Sequence, residues 1–114
     1  IALHNQPSSG MVEYRAHIQG TGWQNVVSDG ATAGTPGLGK RMEAIEISLT
    51  GDMAKEYDVY YRAHVQKLGW LGWAKNGEPA GTSGLSYRIE SIQIQLVEKG
   101  GKAPEGNEDA YISL

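Results

Sequence analysis

Two indoles stand three residues apart in the stretch LGWLGWAKNG, at Trp70 and Trp73, in a chain with only three Trp and no Phe. An exposed indole face stacks on the axial C–H groups of a sugar ring, and hydrogen-bonding side chains beside it read hydroxyls and acetamido groups. Polar side chains suited to that task recur at a spacing of two, as Arg15, His17 and Gln19 and again as Arg62, His64 and Gln66. At that spacing three donors and acceptors lie along one face of a strand, where they can meet hydroxyls, acetamido groups or carboxylates. The same residues have a structural use: Arg15 with Glu43 and Arg62 with Glu90 can pair across a sheet, and His17 and His64 can cap loop carbonyls. Arg41 with Glu43 and Arg88 with Glu90 fall on the side of the apolar Ile residues, so they read as internal ion pairs that specify geometry.

These residues are positioned by a duplication. Residues Val12 to Leu49 align on Val59 to Leu96 at a constant offset of 47 without a gap, and 19 of the 38 paired positions are identical. Each copy is patterned with period two. Val12, Tyr14, Ala16 and Ile18 share one face and Glu13, Arg15, His17 and Gln19 the other; Val59, Tyr61, Ala63 and Val65 repeat the apolar face. The closing segments RMEAIEISL and RIESIQIQL alternate likewise, with Ile45, Ile47 and Leu49 on one side. Between them lie a short strand beginning at Gly22-Trp23, the turn signals SDG and KNG, and a glycine-rich turn, AGTPG or AGTSG. Asp29 and Asn76, in those turn signals, count as further polar partners for the indoles. No window of ten residues has helical spacing; GDMAKEYD makes one turn at most.

The expected fold is therefore all-β: two tandem pseudo-symmetric repeats of three to four short antiparallel strands each. A unit of about 47 residues buries too little surface alone, so the units should pack together. A prism-like or trefoil-like assembly is expected, which two copies leave as an incomplete threefold. Residues 11–51 and 59–100 form the units, 1–10 the tail of a preceding unit with its linker, 52–58 a linker, and 101–114 an extension in which AYISL reads as an extra strand. Ile-Ala-Leu at the start resembles Ile47 to Leu49, so the chain reads as a piece of a longer array that packs with a further repeat or forms a homodimer.

Composition narrows the chemistry. Ten Lys and Arg against thirteen Asp and Glu give a net charge of -3 with no basic run, which argues against nucleic acid as a partner. No stretch nears the roughly 20 apolar residues of a membrane span. With no Cys, thiol catalysis, disulfides and Cys-type zinc sites fall away. Glu43 with Glu90, or Asp29 with Glu43, are poor glycosidase pairs, because carboxylates copied in both units do not make one asymmetric active site. There is no nucleophile elbow, GTPGLG and GTSGLS lack the Lys-Ser/Thr and helix of a phosphate loop, and His17 with His64 make a thin zinc site. No enzyme and no cofactor are expected.

YRAHVQ, GWLGWAKNG, AGTSG and RIESIQIQL closely resemble the ChW repeat, a clostridial hydrophobic repeat with a recurring Trp, and the first unit carries the same pattern. The resemblance implies an extracellular or wall-associated protein of a Gram-positive bacterium, or a phage lysin acting on the wall, in which such repeats accompany autolysin, endolysin or adhesion domains. It implies binding to a cell-wall glycan or peptidoglycan, with a protein-interaction or spacer role as the alternative. The family pattern has a second Trp after Gly-Trp, present as Trp73 but replaced by Val26 in the first unit. Trp23 and Trp70, present in both copies, read as indoles packed beneath each hairpin. Trp73, three residues from Trp70 on an extended chain, is expected on the opposite side as a surface platform. The expected contact residues are Trp73, Trp70 and Trp23, with Asp29, Asn76, Gln19, Gln66, His17, His64, Arg15 and Arg62.

Overall fold

The computed structural model describes residues 1, 9–30, 33, 41–106 and 108–113. The first unit forms β1 (Val12–Ile18), β2 (Gly22–Trp23), β3 (Val27–Ser28) and β4 (Met42–Leu49). A helix, α1 (Gly51–Glu56), leads to β5 (Tyr57–Val65), β6 (Gly69–Trp70), β7 (Ala74–Lys75), β8 (Ala80–Ser83) and β9 (Ile89–Glu98), and β10 (Tyr111–Ser113) follows. The period of two is realised in β1, where Val12, Tyr14, Ala16 and Ile18 are buried and the residues between them half-buried; β5 repeats it from Tyr61 to Val65, but Tyr60, on the other face, is buried too. β1 pairs antiparallel with β4, placing Tyr14 opposite Ile47 and Ala16 opposite Ile45; Tyr61 faces Ile94 and Ala63 faces Ile92 in the copy. The two-residue strands run back along the first strand of each unit, with His17 opposite Trp23 and His64 opposite Trp70.

The units do not keep their strands to themselves. β8 leaves the second unit and pairs with β4 of the first, Gly81 opposite Ala44 and Ala80 opposite Ile45. One sheet therefore runs β10-β8-β4-β1-β2, with β3 also on β1, and the other β6-β5-β7, with β9 also on β5. The core lies between them, built from Val12, Tyr14, Ile45 and Ile47 on one side and Val59, Tyr61 and Ala74 on the other. At the crossing the Gly77 amide donates to the Ile47 carbonyl at 2.7 Å. The fully buried Tyr61 hydroxyl donates to the Glu78 carbonyl and lies against the Ile47 and Gly77 amides. Burial pushes the Tyr61 phenol up to about 12. Gly81 has a φ of 119°, and a Cβ there would run into the Glu43 carbonyl oxygen and lie 2.8 Å from the Ala44 Cα. Only glycine lets the two backbones come so close.

β10 is the strand read in AYISL, and it adds parallel to β8. Ile1 donates from its ammonium to the Tyr14 hydroxyl at 3.2 Å and accepts from the Gly30 amide at 2.6 Å, the place that Ile47 holds on Tyr61 and Gly77. Ala2 and Leu3 lie outside the described residues. The interval read as a linker is largely helix: α1 is six residues, more than the single turn expected, because buried Met53 anchors it and donates its amide to the Ser9 carbonyl.

Asp58 has no acidic counterpart in the first unit, where Met11 stands at the equivalent position. It is 3% exposed and accepts from Lys99 Nζ at 2.8 Å and Asn76 Nδ2 at 2.9 Å, with Lys75 Nζ at 3.7 Å. Hydrogen bonds from Lys99 and Asn76 and the charge of Lys75 hold its carboxyl at about 2, against a desolvation that acts the other way.

Two predictions follow from this packing. Gly81→Ala is expected to destabilise by about 2–4 kcal/mol, from overpacking and backbone strain together, measured by urea denaturation. Because the Asp58 pKa is depressed on folding, its contribution is present above the ordinary carboxylate range and is lost as pH falls toward 2. Lys99→Met is therefore expected to move the midpoint of acid unfolding, followed by circular dichroism, to higher pH while leaving stability changes between pH 6 and pH 8 flat.

Candidate functional site

On the polar face of each sheet the same cluster forms twice. In the first unit the Arg15 guanidinium lies 4.8 Å from the Trp23 ring, and His17 meets that indole edge-on at 5.2 Å. Arg15 Nε donates to Glu46 at 2.6 Å, and His17 Nδ1 lies 3.1 Å from Glu43. In the second, Arg62 lies 4.6 Å from Trp70, His64 meets Trp70 at 5.2 Å, Arg62 Nε donates to Gln93 at 2.6 Å, and His64 Nδ1 lies 3.2 Å from Glu90. Cross-strand register dictates this: Arg15 faces Glu46, Arg62 faces Gln93, and each His faces its Trp.

The carboxylates answer to different partners than sequence pairing proposed. A bulge sets His17 opposite Ala44 and Ile18 opposite Met42, so Glu43 is the extra residue, and it reaches His17. Glu43 thus pairs with neither Arg15 nor Arg41. Arg41 donates to the Ser86 carbonyl, and Glu43 accepts from the Ser86 amide at 3.2 Å, tying the first unit to the turn after β8. Arg62 bonds Gln93 where Glu90 was expected; the Arg88–Glu90 pair does form, at 3.8 Å. Glu46 and Gln93 were absent from the expected contact set, although the alternation of RMEAIEISL puts position 46 on the polar face opposite Arg15.

Trp70 and Trp73 do not face opposite ways. The Arg62 guanidinium lies 4.6 Å from one indole and 4.9 Å from the other. The chain between them is not an extended strand: β6 ends at Trp70, Leu71 turns into a small core with Ala63 and Val65, and Gly72 is buried where a Cβ would collide with the Glu108 carbonyl. That bend returns Trp73 to the side of Trp70. Trp23 and Trp73 are half-buried and Trp70 is 37% exposed.

Four of the expected polar contacts lie elsewhere or act through the main chain. Asp29 and Asn76 sit at the far end of the long strands, each in a turn with positive φ, where their side-chain oxygens accept from the Val12 and Val59 amides at 3.0 and 2.9 Å. From Val59 to His64 is about 17 Å of strand, too far for Asn76 to join the indoles. Gln19 and Gln66 donate their amides to the Arg41 and Arg88 carbonyls, extending each ladder past its bulge, and the buried Gln66 side-chain oxygen has no hydrogen-bond partner among the described residues. No group of three or more metal-ligating side chains occurs among the described residues.

A family model described as Clostridial hydrophobic W matches residues 17–51 and 64–98. The chain belongs to the ChW family. Both matches begin at the histidine of the cluster, His17 and His64, and run through the closing strand. ChW repeats are found in clostridial surface and cell-wall-associated proteins. No curated protein and no solved structure matches the chain.

The two ChW units place one carboxylate in unequal surroundings: Glu43 is 3% exposed and holds both His17 and Ser86, whereas the Glu90 side chain is 37% exposed. Glu43→Ala, which strips the Ser86 amide of its partner, is expected to cost about 1–3 kcal/mol in chemical denaturation, and Glu90→Ala less than about 0.5 kcal/mol.

Proposed function

We propose that this ChW pair is a non-catalytic binding module that holds an attached enzyme or surface protein on a bacterial cell-wall glycan, peptidoglycan above all, outside the cell. The observation that carries the reading is the arrangement at Arg62: two indoles flank one guanidinium on the polar face of a sheet, beside Gln93, His64 and Glu90. Indole faces stack on sugar C–H groups, and a guanidinium pairs with the carboxylates that wall peptides carry. Arg62 bonds a neutral amide, Gln93, and has no carboxylate partner among the described residues, whereas the equivalent Arg15 is neutralised by Glu46.

The two units then contribute unequally. Where the second has Trp73, the first has Val26, 55% exposed, and a shallow hollow bordered by Glu13, Arg15, Val26 and Glu46. A shallow, open contact of this kind gains strength from multiplicity rather than depth, as several units on one polymer raise avidity. Catalysis has no support in the paired carboxylates, which serve as partners for His17 and His64.

Co-sedimentation with purified Gram-positive cell walls tests the reading. Wild type is expected to bind, Trp73→Ala to bind about tenfold more weakly, equivalent to about 1.4 kcal/mol, and Val26→Ala to bind as wild type. A Trp73→Ala chain that binds undiminished removes that indole from the site. A wild-type chain that binds neither walls nor a glycan array leaves the module to a protein partner or a spacer role.

A further inference from the structure

The duplication gives the chain two copies of one apolar edge, and among the described residues only one is paired on both sides. Ile45, Ile47 and Leu49 of β4 are matched by Ile92, Ile94 and Leu96 of β9. Ile47 is fully buried and β4 is paired on both sides, by β1 and β8. Ile94 is 41% exposed and Leu96 40%, and among the described residues β9 pairs with β5 alone. The exposed copy has kept the same apolar side chains, on a strand ten residues long. A long unpaired edge with such residues is a pairing template.

The structure also displays what fits such an edge. Each unit presents a tyrosine hydroxyl and a glycine amide that together hold one isoleucine main chain. In the second unit Tyr61 and Gly77 hold Ile47, with Ala80 pairing to Ile45 beside it. In the first unit Tyr14 and Gly30 hold Ile1, and Ala33, the counterpart of Ala80, packs on the core. The same receptor has thus accepted two isoleucines from different parts of the chain. Ile94 stands opposite Tyr61 as Ile47 stands opposite Tyr14, so its amide and carbonyl project away from β5 as those of Ile47 project away from β1.

We propose that β9 is a docking edge for a second copy of this chain, which receives it head to tail on Tyr14, Gly30 and Ala33 of its first unit. Ile94 of one copy displaces Ile1 from the other, and Leu96 is covered as Leu49 is, while Ile92 already packs on the core of its own chain. The contact joins two different surfaces, the heterologous kind, rather than one surface with itself.

That asymmetry sets the test, by sedimentation velocity from micromolar to millimolar concentration. The wild-type chain is expected to associate. Ile94→Lys spoils the edge and Ala33→Glu the receptor, and each alone is expected to associate about tenfold more weakly. Mixed, they are expected to form a one-to-one complex, because the first variant keeps an intact receptor and the second an intact edge. Gln95→Lys, on the polar face of the same strand, is expected to behave as wild type. If circular dichroism finds Ile94→Lys unfolded, Leu96→Lys replaces it. A wild-type chain monomeric at millimolar concentration overturns the proposal, and so does an Ala33→Glu chain that associates as well as wild type, which would mean edge-to-edge pairing of β9.

Discussion

An isoleucine main chain clasped between a tyrosine hydroxyl and a glycine amide couples the two ChW units. Tyr61 is fully buried, and a buried phenol must spend its hydrogen bonds inside the protein. It donates to the Glu78 carbonyl and faces the Ile47 and Gly77 amides, while the Gly77 amide donates to the Ile47 carbonyl. Those bonds fix the KNG turn of the second unit against β4 of the first. The chain leaving that turn, Glu78 to Ser83, then has one course, along the open side of β4, and Gly81 passes Ala44 at a distance no side chain permits. Neither 47-residue unit needs a complete core of its own, because the strand that closes one sheet comes from the next unit.

With the apolar faces committed to this shared core, function is left to the polar faces. There the register that aligns the strands also assembles the Arg–Trp–His clusters, since each contact is a cross-strand pair. The units differ most where they face solvent. Glu46 becomes Gln93 and Val26 becomes Trp73, which releases a guanidinium and adds a second indole beside it. Their long strands are nearly unchanged, with Tyr14, Arg15, Ala16 and His17 repeated as Tyr61, Arg62, Ala63 and His64.

Much of this was legible in the sequence because period two and the 47-residue offset are properties of the chain itself. They gave the long strands, the buried faces of β1, β4 and β5, the SDG and KNG turns and the family; but the apolar face of β9 is largely exposed, AGTSG, read as a turn, is strand β8, and most of AGTPG lies outside the described residues. What they left out depends on a third body. The offset states that Ala80 corresponds to Ala33, but not that its strand pairs with the neighbouring unit. Alternation placed Glu43 with the apolar residues, and a single-residue bulge moved it to His17. Trp73 was set opposite Trp70 on the premise of an extended chain, which buried Gly72 breaks. Asp29 and Asn76 looked free to meet a ligand, but a turn with positive φ engages their side chains at the start of each long strand. Arg15, His17, Trp23 and their copies were found together because they share one face of a regular strand pair.

Native-state amide hydrogen exchange in dilute protein reads the coupling most directly, at Ile47 and its counterpart Ile94. If a tyrosine hydroxyl and a glycine turn clasp the first and leave the second on an open edge, the Ile47 amide exchanges only through global unfolding, while the Ile94 amide exchanges at nearly the rate of an exposed strand. Equal protection of the two amides would contradict the account.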